Sequence, residues 1–375
     1  MQLLAVDIGT GTQDIFLYNP ELDIENGLKM VMPSPTMIVH NKIRHATRRG
    51  DSVLLTGYMM GGGPSQWAAR DHLKAECILF ATVDAARTFN DDMDYVRNEM
   101  GVTIVSEDEA DALRGITRIE LKDFDMVALA AAFASFDVQL NPDAIGVAVF
   151  DHGDSPPHYS DRQFRFDYLD QRIREYNNLA AFAYLSTNIP KIMTRLQAVA
   201  NSYQGDAPLV VMDTAPAAVL GSMLDPVTAR NDRLIFCNVG NFHTLAFRME
   251  SNRISGVFEH HTGEIDLKKL DSLIDRLADG SLKHADVFDD MGHGALLYSE
   301  TPLMTPAVVV TGPRRAMMRE SKHQPYFAVP FGDMMIAGCF GLLAAMADTI
   351  PNQDVRDAIR KSLHTPSGKP PWELV

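Results

Sequence analysis

Short apolar runs that end on a polar or small residue recur along this chain, and stretches with helical spacing separate many of them. The first run, Leu3-Leu4-Ala5-Val6, reads as a buried strand that delivers Asp7 to a turn of Gly9, Thr10, Gly11, Thr12 and Gln13. Ile15 and Leu17 then alternate with Phe16 and Tyr18, which predicts a second strand and hence a hairpin. Extended runs are expected at 29–32, 36–39, 52–57, 77–82 and 102–105, and helices over 67–75 and 92–100. The basic group Lys42, Arg44, His45, Arg48 and Arg49 reads as a solvated loop. This alternation of helices and short strands predicts an α/β class.

Further on, an apolar strand over 144–150 delivers Asp151, His152, Gly153 and Asp154 to its carboxyl end, where open α/β sheets bind ligands. The stretch 160–166, with Arg162, Phe164 and Arg165, mixes donors and aromatics as a pocket wall does. Helices are expected over 168–185 and 190–203. A strand over 209–213 ends on Asp213 and leads into a helix of small residues over 214–221. The opening pattern then returns at 234–249 as strand, Gly-containing turn and strand. Asn238, Gly240 and Asn241 follow Asp7 and Gly9 in type, while Thr244 falls one residue later than Thr12. A third strand closes near Val257, a helix is expected over 265–277, and a β-branched strand over 307–311 ends on Gly312, Pro313, Arg314 and Arg315. A second small-residue helix is expected over 333–347, and the proline-containing tail from Thr365 reads as loose.

At 375 residues the chain suggests two domains. Its 46% hydrophobic and 22% charged content is ordinary for a globular protein. A formal charge of −15 argues against a general binder of nucleic acid or anionic membrane. No apolar run reaches the roughly 18 residues that span a bilayer, and no signal peptide is expected. Cys77, Cys237 and Cys339 lie far apart, which excludes a local zinc knuckle or contiguous iron–sulfur motif and fits a reducing cytoplasm.

Several segments carry chemistry. The Gly- and Thr-rich hairpin suits phosphate, since its amides approach closely and its hydroxyls donate; it equally suits a plain tight turn. Asp7 stands where a carboxylate can hold Mg²⁺ through water. Gly61-Gly62-Gly63-Pro64 reads either as amides facing a ligand or as a flexible connection. Asp151 and His152 read as a functional pair or as a hydrogen-bonded turn. Asp213 and the small-residue helix after it read as an interdomain hinge surface, or Asp213 is only a helix N-cap. His260, His261 and His293, with Glu259, Glu264 and Asp290, have the chemistry of metal ligands without a recognised spacing. Gly312 allows a flat ring to lie on the backbone, and an arginine after it can stack on that ring.

Taken in order, hairpin, small-residue helix, hairpin, Thr-Gly strand and small-residue helix resemble the superfamily of actin, the seventy-kilodalton heat-shock proteins and the sugar kinases. The resemblance implies two actin-like, ribonuclease H-like domains facing a nucleotide cleft, with insertions in the first. It places the domains at 1–225 and 226–375. It assigns 7–13 to phosphate 1, 213–221 to connect 1, 238–244 to phosphate 2, 310–314 to the adenosine motif and 338–345 to connect 2. The implied cofactors are ATP and Mg²⁺. Nucleotide contacts would come from Asp7, Gly9, Thr10, Gly11, Thr12, Gln13, Asn238, Gly240, Asn241, Thr244, Thr311, Gly312 and Arg314, and metal contacts from Asp7 and Asp213. The His152-Gly153 pair is similar to a sugar-contacting loop of carbohydrate kinases. The whole chain looks closer still to a prokaryotic family loosely labelled as pyruvate formate-lyase-activating. Radical activases need three closely spaced cysteines, which this sequence does not have. Two departures stand out: Asn238 replaces the usual phosphate 2 carboxylate, and Gly312-Pro313 replaces a Gly-Gly pair.

Three functions follow from the resemblance. The first is Mg²⁺-dependent phosphoryl transfer to a small hydroxylated metabolite, with Asp151, His152 and Asp213 catalytic, Asp154, Arg162 and Arg165 binding the acceptor, and Asp151 or Asp154 as the candidate base. The second is a slow nucleotide-dependent switch acting on a partner protein, which the loss of the phosphate 2 carboxylate suits. The third is a ligand-binding member of the fold without nucleotide chemistry. Neither a nucleic-acid nor a membrane partner is expected.

Overall fold

The computed structural model describes residues 1–303 and 306–373. Three sheets organise them. The first has six strands in the order Leu28–Pro33, Thr12–Tyr18, Leu3–Ile8, Ala144–Val149, Leu209–Asp213 and Ala183–Leu185. Its first three strands form an antiparallel meander, and the next two run parallel to Leu3–Ile8. The central strands are apolar on both faces because helices cover both, as parallel strands require.

The second sheet repeats the plan. Gly294–Leu297, Arg253–His261, His243–Glu250 and Arg233–Val239 form an antiparallel meander, and Ala307–Thr311 and Tyr326–Phe327 continue it in parallel. A hairpin followed by parallel strands, built twice, is the ribonuclease H-like arrangement of actin-like proteins, so the chain has the two-domain actin-like fold. The third sheet is an insertion into the first domain. Its four parallel strands, Thr103–Val105, Leu79–Thr82, Val53–Gly57 and Thr117–Leu121, enclose a separate apolar core around Val53, Leu55 and Ile119.

Two helices cross at the centre. Thr214–Ser222 follows the strand Leu209–Asp213, and Ala337–Thr349 packs on Leu3–Ile8 and Ala144–Val149. Both are rich in Gly and Ala, and the backbones meet. A Cβ on Gly221 would overlap the Ala337 carbonyl, and one on Gly341 would overlap the Ala217 carbonyl. Only glycine permits that approach.

Several local expectations change; the helix expected over 168–185 ends at Tyr176, and Ala183–Leu185 is a strand. Residues 36–39 are helical, not extended, within Pro35–Arg49. Ser34 caps that helix through a bond from the Met37 amide (3.4 Å), Pro35 occupies its first position, and Gly50 ends it in the left-handed region. The basic group at 42–49 is therefore part of a helix and not a loop. Residues 160–166, expected as an irregular pocket wall, begin the helix Asp161–Tyr176, which Ser160 caps and Asn177 ends. The helix expected over 190–203 begins only at Thr194. The strand Thr117–Leu121 and the helix Met126–Ala134 were not anticipated.

Candidate functional site

Both hairpins open onto one cleft of about 1240 Å³, lined also by Gly61–63, by 90–94 of the insertion and by the loop after Ala144–Val149. The two turns are built alike. Gly9 N–H donates to the Thr12 carbonyl (2.9 Å), and Gly240 N–H donates to the His243 carbonyl (3.0 Å). The structural partner of Thr12 is therefore His243. Thr244, expected as a phosphate contact, lies one position on and is buried, with its hydroxyl 2.9 Å from that of Thr262. The turns face each other closely enough that a Cβ on Gly11 would come 2.6 Å from Asn241 Nδ2.

The first hairpin carries two carboxylates on paired positions, Asp7 and Asp14. Thr214 Oγ1 donates to Asp7 Oδ1 (2.5 Å), and the start of the helix Ala337–Thr349 presses Gly338 against the other Asp7 oxygen. Burial pushes the Asp7 carboxyl up to about 6; the Thr214 bond opposes this and the nearby Asp213 charge adds to it. Burial, then repulsion from Asp7, pushes Asp14 up to about 8, and its Oδ1 is buried without a hydrogen-bond partner. Adjacent carboxylates with an unused oxygen are a donor set that fits a hard cation such as Mg²⁺. Asp14 was not singled out from sequence, although its cross-strand position opposite Asp7 follows from a two-residue alternation.

Of the other expected residues, Gly9, Thr10, Thr12, Asn238, Gly240 and Asn241 line the cleft, as do Thr311 and Gly312. Arg314 is exposed and contributes only its amide, bonded to the Val239 carbonyl (3.0 Å). Gln13 turns away and bonds the Pro33 carbonyl (3.1 Å). Asp154 faces the cleft. Asp151, expected to act as a base, accepts from the Gly153 amide (2.8 Å) and the Leu196 amide (2.9 Å), so its carboxylate shapes the loop.

Asp213 and Arg165 need correction. Arg165 is buried, not facing an acceptor, and joins the two domains. Its Nη1 donates to Asp213 Oδ2 (2.6 Å) and its Nε to Glu259 Oε2 (2.8 Å). Asp213 also caps its helix through the Ala215 amide (3.0 Å), which leaves it a partner of Arg165 and not a free metal ligand. Burial pushes Glu259 up to about 7 even beside Arg165. Arg162 likewise bridges the domains. It donates to the Phe288 (3.1 Å) and Gly292 carbonyls and covers the Phe288 ring.

At the floor of the cleft, histidines from both domains converge. His152 Nε2 lies 3.1 Å from His293 Nε2, and the potential ligand atoms of His152, His243 and His293 all lie within 4.8 Å of one another. Phe150 stacks on His243 at 4.1 Å, and the Arg165 guanidinium also lies over the Phe150 ring. Burial, then the Arg165 charge, pushes His152 down to about 3, and burial drives His243 and His293 below the ordinary range, so all three are neutral at pH 7. His261 flanks this group, its ring 4.8 Å from that of His293. His260 does not join it: its Nε2 lies 3.2 Å from Asp290 Oδ2. The set expected from sequence is thus divided, and His243, the residue it lacked, was hidden inside the second hairpin.

Among the described residues no helix is long and apolar enough to cross a membrane. Cys77, Cys237 and Cys339 are free; Cys237 and Cys339 belong to two different cores, and Cys77 follows a helix of the insertion. No curated protein matches the sequence. Among solved structures, the chain is similar to an activator of 2-hydroxyisocaproyl-CoA dehydratase from Clostridium difficile with bound ADPNP. The identity is 8%, with 96% of each chain covered and a TM-score of 0.32. It is also similar to the ethanolamine utilization protein EutJ from Carboxydothermus hydrogenoformans, at 9% identity, 91% and 89% coverage and a TM-score of 0.27. A ROK hexokinase from Thermus thermophilus matches at 11% identity over 68% of this chain and 48% of its own, with a TM-score of 0.23. A family model matches residues 60–317, and the chain belongs to that family, described as "Putative pyruvate format-lyase activating enzyme (DUF1786)".

Proposed function

We propose that this protein binds a Mg²⁺-nucleotide, ATP, between its two hairpins and transfers a phosphoryl group to a small hydroxylated metabolite. The observation that carries the reading is the pair of alike turns facing each other across one cleft, with the Asp7 and Asp14 carboxylates at its base. Mg²⁺ held near Asp7 and Asp14 would supply charge neutralisation for the phosphates. The chain's own part is positioning. The amides of Thr10 and Asn241, next to the turn-closing amides of Gly9 and Gly240, meet anionic oxygens, Thr214 orients Asp7, and the glycine-packed helices let 1–225 and 226–375 close on each other. Asp154, a cleft-lining carboxylate of the same loop, is the base for the acceptor hydroxyl in place of Asp151, whose carboxylate is taken up by backbone amides.

A second reading, a slow switch acting on a partner enzyme in the cytoplasm, is favoured by Asn238, which stands at the position of Asp7 without its charge. A radical activase is not favoured, because its cluster needs three thiolates together and Cys237 and Cys339 sit in separate cores. Calorimetric titration with ATP and ADP, with and without Mg²⁺, tests the nucleotide reading. Micromolar, Mg²⁺-dependent binding supports it, and no binding at millimolar nucleotide overturns it. Release of ADP on adding a metabolite, or only on adding a protein, then separates transfer from switch.

A further inference from the structure

We propose that His152, His243 and His293 form a binding site for one divalent transition-metal ion of the Zn²⁺ type, bridging the two domains at the floor of the cleft. The site is separate from the Asp7–Asp14 pair and does not depend on nucleotide. His152 comes from the loop after the first-domain strand Ala144–Val149. His243 and His293 come from the second domain, at the start of one strand and just before another.

The distances suit a metal. Bonds of about 2.0–2.1 Å from Zn²⁺ to imidazole nitrogen set the edge of a tetrahedron at about 3.3–3.4 Å. His152 Nε2 and His293 Nε2 are 3.1 Å apart, and one potential ligand nitrogen from each of the three rings lies within 4.8 Å of the others. Because His243 and His293 belong to the same domain, a side-chain rotation of His243 closes the remaining distance. Three imidazoles without a coordinating carboxylate select a borderline ion over Mg²⁺ or Ca²⁺.

The second observation lies behind His293. Its Nδ1 is buried with no hydrogen-bond partner, and 3.5 Å away Glu259 Oε1 is buried and equally without one. Both residues are fully buried. Leaving two polar atoms unsatisfied in this way is costly. A metal on His293 Nε2 fixes the proton on Nδ1, and a small approach of Glu259 Oε1 from its present 3.5 Å then gives both atoms a partner. A carboxylate behind a ligating histidine is the usual support for such a site. His243 Nε2 is also buried and unpartnered. His152 and His243 line the cleft while His293 stands behind them, so the remaining coordination position opens toward bound ligand or water.

The test uses the full chain, stripped with chelator and titrated with Zn²⁺ and, as a spectroscopic probe, Co²⁺. One ion per chain should bind at micromolar or lower free metal, and Co²⁺ should give tetrahedral d–d bands without thiolate charge transfer. His152→Ala and His243→Ala should each weaken binding at least about 100-fold, and Glu259→Gln about 10–100-fold. Circular dichroism establishes that each variant is folded, and the Co²⁺ spectrum of the unaltered chain stands even if one is not. Absence of saturable binding overturns the proposal. So does undiminished binding in folded His152→Ala and His243→Ala, or thiolate charge transfer in the Co²⁺ spectrum.

Discussion

The two hairpins share one backbone plan and carry opposite chemistry. In the first, Asp7 pairs with Asp14, so two carboxylates meet in the cleft; in the second, the same pairing joins Asn238 to Leu245. Where the first turn ends on Thr12, the second ends on His243. The turn geometry needs only a Gly and an amide-to-carbonyl bond, so side chains around it were free to diverge. One half presents two carboxylates to the cleft and the other an imidazole. The duplicated scaffold fixes where these side chains sit, and the unmatched side chains decide what chemistry each half offers the cleft.

Breaking the bond between the halves should have the largest effect. Arg165→Met leaves the Asp213 and Glu259 carboxylates facing each other without their shared cation, and should cost about 3–5 kcal/mol in urea-denaturation experiments. A loss near zero would mean that the domains are held together by other contacts.

Next comes the asymmetry itself. Asp7→Ala should weaken Mg²⁺-nucleotide binding at least about tenfold, or about 1.4 kcal/mol, by calorimetry. Asn238→Ala should change it only a few-fold. Equal losses would erase the distinction drawn between the hairpins.

The carboxylate pair should also show in pH dependence. Asp7 and Asp14 have folded-state values of about 6 and about 8, above their unfolded values. The folded chain therefore holds more protons than the unfolded chain. The stabilisation is complete below about pH 4 and is lost as pH rises through 6 and then 8. Melting temperature without metal should fall by a few degrees from this source between pH 5 and 8. Asp14→Asn should flatten that slope, and an unchanged slope in this variant would place its origin elsewhere.

The smallest effect should come from Thr214→Val. It removes the hydroxyl bonded to Asp7 Oδ1 and should weaken nucleotide binding by about 1 kcal/mol, with little change in fold. A loss as large as that of Asp7→Ala would make Thr214 a direct ligand contact.

Local signals in the sequence determined the α/β class, both Gly-containing hairpins and both small-residue helices, because apolar alternation and glycine placement act over a few residues. They also marked Asp7, His152 and Asn238 as residues of a site. They misplaced the helix Pro35–Arg49, where Ser34 and Pro35 formed a helix start that reads equally as an interruption between strands. Only the tertiary structure decided that Arg165 is buried between Asp213 and Glu259 and that Asp151 spends its carboxylate on backbone amides. It alone brought His152 to His293, 141 residues away, and set His243 beside them. The physical reason is that strand order and domain closure create such neighbours, and the charge and hydrogen bonding of a buried group depend on those neighbours and not on the residues beside it in the chain.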